Sequence, residues 1–222
     1  MKAAYAIFRK DLLLEFRGRE IVVTLTVFSF LVLTVFSFST EPGSPAPREM
    51  APGILWITFL FAGILGLGRA FDRERENGCF TGLLLAPCDR MQVYWGKCLS
   101  TLAFLMVFQA ILWPIFGILY GYSPIKGVAT AWAGIILGDI GFVALGVILS
   151  AVTIHARGRE IILPLLLLPL CLPVLVGGVR VITLALEGGS GAQALTWIGR
   201  LAAFDIIFFA LGSVLFPLVV EE

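Results

Sequence analysis

Few residues of this chain could do chemistry, and the most conspicuous are carboxyl groups in apolar surroundings. Asp139 lies near the middle of the apolar run 127–153, and Asp205 lies inside the run 195–220, beyond Arg200. A charged aspartate at the centre of a membrane helix costs about 2.5–3.5 kcal/mol on an insertion scale, so each needs a reason to be there. The functional reasons are a polar surface on a substrate path or an interhelical contact; the structural ones are a helix-packing polar group or an aspartate held neutral by burial. Arg200 sits near the outer end of its run, where a long side chain can reach the headgroups. Gln109, in the run 97–120, reads as a packing hydrogen bond.

Other catalytic groupings are missing. The one histidine, His155, stands beside Arg157 and Arg159. A solvated loop histidine is the plainer reading, with a haem or metal ligand as the alternative; histidine-clustered metal sites and Ser/His/Asp triads are excluded. Gly96-Lys97 is followed by Cys98 and lacks the earlier glycine of a phosphate-binding G-x-x-x-x-G-K-[ST] loop, so the chain is not expected to hydrolyse a nucleotide or to be an enzyme. Cys79, Cys88, Cys98 and Cys171 form no CxxC pair and read as small hydrophobes rather than metal ligands. A net charge of +1 implies no bulk attraction to nucleic acid.

A second stretch has the chemistry of recognition rather than catalysis. Five charges run from Asp72 to Glu76, including Glu74 and Arg75, and Gly78 breaks the run. A short apolar helix can follow, with Phe80, Leu83 and Leu84 on one face. Pro87 ends it because proline cannot continue the backbone hydrogen bonding, and Arg90 lies just beyond. An exposed apolar face of this kind suits the groove of another protein. An interfacial turn that only links two spans is the alternative.

The elements that must carry these residues follow from composition. Of 222 residues, 59% are hydrophobic and 14% charged, against roughly 25% charged in soluble domains. Mean hydropathy is +0.99. A membrane-crossing helix needs about 20 apolar residues, and six such stretches fit: about 21–39, 52–70, 97–120, 127–153, 161–183 and 195–220. They do not alternate as barrel strands do. The expected fold is an all-α polytopic membrane protein forming one transmembrane domain over 1–222, with residues 72–90 as a cytoplasmic loop.

Residues 2–18 read as an amphipathic helix lying in the headgroup region. Tyr5, Phe8, Leu12 and Phe16 form its apolar face, and Lys2, Arg9, Lys10 and Arg17 its basic one. Glycines at 63, 66 and 68, together with Gly134-x-x-x-Gly138 and Gly146-x-x-x-Ser150, are weak signals of close helix packing. Trp113-Pro114 should bend the third span. Pro164, Pro169 and Pro173 should leave the fifth irregular or broken. Lysine and arginine set the orientation. The N-terminal segment carries five, the loop after span two with its flanks (Arg69 to Lys97) five, and the loop after span four Arg157 and Arg159. The opposite side has Arg48 and Lys126, with Arg180 near the end of span five. Both termini and the charged loop are therefore expected on the cytoplasmic side.

The segment Glu74-Arg75-Glu76-Asn77-Gly78-x-x-x-Gly82-Leu83-Leu84-Leu85-Ala86-Pro87-x-Asp89-Arg90 resembles the coupling helix of ABC-2-type membrane subunits, which docks on an ATPase. Further stretches are Ile7-Phe8-Arg9-Lys10-Asp11-Leu12, Arg157-Gly158-Arg159-Glu160 before Leu163-Pro164, and Ala203-Phe204-Asp205-Ile206-Ile207-Phe208 with Glu221-Glu222. Together they are similar to the CcmB family, the haem exporter B membrane subunit of cytochrome c maturation. The resemblance implies a type-2 exporter-like permease in a complex with an ABC ATPase of the CcmA type, two copies of each. A haem-handling membrane subunit of the CcmC type would join them. Haem would be cargo, or ATP hydrolysis would release a haem-loaded periplasmic chaperone; ATP would bind the partner, this chain would hold no cofactor, and the complex would sit in the bacterial inner membrane. Trp56, Trp95, Trp113, Trp132 and Trp197 are scattered and form no tryptophan-rich haem motif. An ABC-2 exporter of lipid or drug, and a non-transporting assembly scaffold, are the competing readings.

Overall fold

The computed structural model describes residues 2–18, 20–39, 46–70, 89–122, 125, 127–153, 156 and 158–220. The described residues form eight α-helices: α1 (Lys2–Gly18), α2 (Glu20–Phe38), α3 (Ala46–Ala70), α4 (Arg90–Tyr120), α5 (Val128–Val152), α6 (Arg159–Leu170), α7 (Leu172–Glu187) and α8 (Gly191–Val219). There is no strand among the described residues.

Four helices, α3, α4, α5 and α8, are long and apolar enough to cross a membrane. The pair α6–α7 passes the same test as a single span bent by 59°, and α2 contributes a shorter apolar helix, Val22–Phe38. The bend falls at the buried Cys171, between Pro169 and Pro173. Proline removes a backbone donor and crowds the preceding turn, which breaks the helix there. The chain re-pairs around the break: Cys171 N–H donates to Leu167 O at 2.9 Å, and Leu175 N–H donates to Cys171 O at 2.9 Å. Trp113-Pro114, by contrast, lies inside one continuous helix of 31 residues.

Local chemistry ends the helices where the sequence punctuates them. The Asp89 side chain caps α4 by accepting from Met91 N–H at 3.0 Å, and Ser190 caps α8 by accepting from Gln193 N–H at 3.3 Å. Gly127 precedes α5 at φ +69°, and a Cβ there would overlap the Ala185 carbonyl of α7, so glycine serves both conformation and contact.

α5 is the central helix: 72% of its apolar window is buried, against 17% for α8. Its glycines make this possible. Gly138 lies under the Trp56 indole, Gly146 against Leu67, and Gly134 leaves only 2.6 Å between an added Cβ and Val181. On α3, Gly63 receives the Phe142 ring and Gly66 faces Phe104, whereas Gly68 meets nothing within 4 Å. The core divides into two apolar clusters. One includes Leu67, Tyr94, Phe142, Leu163 and Phe216; the other includes Leu33, Trp56, Phe116, Ile135 and Ile182.

α1 differs from its sequence reading in which face is covered. Ala4 and Ile7 are buried, while Tyr5 is 65% exposed. The buried face meets α4 at Gly96, where an added Cβ would lie 2.9 Å from Ala4 O and from Ile7 Cβ. α1 therefore packs on protein along one side and keeps Tyr5, Leu13 and Leu14 facing outward.

Candidate functional site

Most of the sequence-derived coupling residues, Glu74, Arg75, Gly78, Phe80, Leu83, Leu84 and Pro87, lie outside the described residues, as do His155, Cys79 and Cys88. Arg90 is described, and it opens the helix that follows the loop. Its Nη1 donates to Pro217 O in the last turn of α8 at 3.5 Å. The carbonyls of a helix's last turn lack partners within the helix, so a guanidinium is a natural one.

The next turn of α4 is tied in three more directions. Tyr94 OH donates to Ala144 O of α5 at 3.1 Å, and Gly212 of α8 leaves room for that hydroxyl. Trp95 Nε1 donates to Ser213 Oγ at 3.0 Å, and its ring stacks on Phe209 with centroids 6.5 Å apart. Lys97 forms a 3.0 Å ion pair with Asp11 of α1, and Ser100 Oγ donates to the same carboxylate at 3.3 Å. Lys10 reaches the other Asp11 oxygen at 3.1 Å. Lys97, which reads from sequence as a flanking surface lysine, is instead 1% exposed. The start of α4 is thus a junction where α1, α5 and α8 meet the chain leaving residues 71–88.

A second polar group lies between the two apolar clusters. Gln109 Nε2 donates to Asp139 Oδ1 at 3.0 Å, linking α4 to α5. Gln109 Oε1, Asp139 Oδ2, both Asp205 oxygens and Trp56 Nε1 are buried with no hydrogen-bond partner among the described residues. Asp205 enters α5 from α8 at Gly141, where an added Cβ would lie 2.6 Å from Asp205 Oδ1. Positions 139 and 141 are about 200° apart around a helix, so the two carboxyl groups occupy different faces of α5. Arg200 is not brought to either: it is exposed and lies over Trp197, 4.4 Å from the ring centroid. No cluster of three or more metal-ligating side chains occurs among the described residues.

Sequence reasoning missed Asp11, Lys97 and Trp56. The signal for the first two was weak, since a lysine near a span end normally reads as a topology marker. A close-packed glycine pair, Gly138 and Gly178, frames Trp56, and Gly138 at least was visible as part of a small-residue spacing.

The described helices are those of a polytopic membrane protein. The family model described as CcmB protein matches residues 2–221, and the chain belongs to that family. It is 30% identical over 209 residues to Heme exporter protein B of Paracoccus denitrificans, covering 93% of each chain. It is 29% identical over 211 residues to Heme exporter protein B of Rhodobacter capsulatus, covering 94% of this chain and 95% of the relative. The protein of that name from Pseudomonas aeruginosa is 26% identical over 193 residues, covering 87% of this chain and 86% of its own length.

Proposed function

We propose that this chain is the membrane subunit of a haem-export complex serving c-type cytochrome biogenesis, and that an ATPase in a separate partner subunit drives it. The observation that carries the reading is the family match over residues 2–221, with relatives named for haem export aligned along nearly the whole chain. In this reading six spans cross the inner membrane with both termini cytoplasmic, α1 lies at the headgroups, and residues 72–90 dock on the ATPase. Haem is cargo, or ATP hydrolysis releases a haem-loaded periplasmic chaperone. The complex holds two copies of this subunit and of a CcmA-type ATPase, with a CcmC-type haem-handling subunit beside them.

The junction at the start of α4 supports the coupling role. A groove that shifts residues 72–90 would pull on Arg90, Tyr94, Trp95 and Lys97 together, and so on α8, α5 and α1. Phe80, Leu83 and Leu84 would supply the docking face, and fully burying each is worth roughly 1.5–3 kcal/mol. A strain lacking the gene should fail to mature c-type cytochromes, and the wild-type gene should restore them. Leu83→Asp with Leu84→Asp should leave the protein in the membrane, release the ATPase on co-purification and abolish maturation. Normal maturation in the deletion strain sinks the functional reading. Normal ATPase recovery and maturation in the double variant reduces the loop to a connector.

A further inference from the structure

Trp56 and Asp139 are each 3% exposed and Gln109 is 1% exposed. Gln109 satisfies one Asp139 oxygen, which leaves Asp139 Oδ2 as an acceptor and Trp56 Nε1–H as a donor, both buried and both without a partner among the described residues. Trp56 and Asp139 line one small cavity, together with Phe59, Phe142, Val174 and Leu175. The volume open to the centre of a water molecule is about 10 Å³. That is close to the lower limit for holding one water and far below what an organic ligand needs.

We propose that this cavity is a binding site for a single water molecule. The water accepts from Trp56 Nε1–H and donates to Asp139 Oδ2, joining α3 to α5; Gln109 continues the chain to α4. The wall chemistry selects water over a cation. An indole N–H repels a positive ion, and the Phe, Val and Leu walls offer none of the additional oxygens that sodium or calcium requires. Water alone can accept from one wall and donate to the other. The position gives the bridge a structural consequence, because α3 and α4 are the helices that flank residues 71–88. A bridge through water tolerates small changes of spacing between α3 and α5 that a direct side-chain bond would not. The proposal is independent of whether an ATPase docks on the loop.

The test uses the full chain, labelled with ¹⁵N-tryptophan and held in lipid nanodiscs. The Trp56 indole N–H resonance is assigned by its disappearance in Trp56→Phe. In the wild-type protein it should show a cross-relaxation peak to water. That peak should be lost in Asp139→Leu, which removes the acceptor, and in Val174→Leu, which fills the cavity, and it should remain in Asp139→Asn. A wild-type spectrum with no water peak at Trp56 overturns the proposal. So does a peak that survives Val174→Leu. Val174→Leu keeps every polar group in place, so the proposal remains decidable even where Asp139→Leu prevents folding.

Discussion

Asp205 is held in the bundle by the absence of a side chain opposite it. Its Oδ1 occupies the space that a methyl group on Gly141 would need, at 2.6 Å, with a Phe204 ring carbon at 2.9 Å. Gly141→Ala should therefore destabilise the protein by about 1–3 kcal/mol, the usual cost of overpacking. The sign is informative, since alanine is normally the better helix former by about 1 kcal/mol. Gly68→Ala, where the new methyl meets nothing within 4 Å, is the matched control and should be neutral or stabilising. Thermal unfolding of the two variants in detergent checks this, and a Gly141→Ala protein as stable as the control contradicts it. Asp139 and Asp205 themselves should be more sensitive than exposed positions. Asp139→Leu strands a buried Gln109 amide, and Asp205→Leu alters the α5–α8 contact, so both should lower complex yield and cytochrome maturation. Wild-type yield and maturation in both variants would mean that the aspartates have no such role.

At the scale of elements, α1 is clamped to α4 by a notch and an ion pair. Gly96 provides the notch, and the Lys97–Asp11 pair is nearly closed to solvent on the lysine side. Asp11 keeps Lys10 and Ser100 when Lys97 is removed, whereas removing Asp11 takes the carboxylate from a lysine that is 1% exposed, which is the more damaging loss. Asp11→Leu should loosen α1, seen as faster amide hydrogen exchange over residues 4–11, and Lys97→Met added to it should restore part of the protection. Unchanged exchange in Asp11→Leu would show that the notch alone holds α1. Neither partner was readable as such. They lie 86 residues apart, and a helix pattern fixes which residues share a face without saying which other helix that face meets. The aspartates were readable because an ionisable group in an apolar run stands out whatever surrounds it, whereas the seating of the Trp56 ring against Gly138 and Gly178 depends on how three helices are rotated. The proline-marked break at Cys171 was visible in advance because proline acts on its own backbone.

The whole molecule is a helical bundle whose centre is α5 and whose outermost long helix is α8. Composition alone was enough for the helical class, since apolar runs of this length have few other uses. It fixed the number of crossings less well. Proline divides one run into α6 and α7, and α2 is short, so four helices meet the length criterion unaided. The lysine and arginine asymmetry predicts that all the crossings share one arrangement, with segments 41–50 and 186–194 on the periplasmic side. Reporter fusions in those segments should be active only as periplasmic reporters; cytoplasmic activity in either overturns the arrangement. The same asymmetry predicts residues 71–88, α1 and the end of α8 on the cytoplasmic side.

The bond from Arg90 to Pro217 spans 127 residues of chain. A ribosome adding about 5–20 residues per second makes its two ends roughly 6–25 s apart. Throughout that interval the start of α4 exists without the α8 groups that later hold Arg90 and Trp95. The surface bordering residues 71–88 is therefore among the last parts of the protein to be finished, although its own sequence is made early. A nascent chain that stalls before α8 has its charged loop but lacks the helix whose groups hold Arg90 and Trp95.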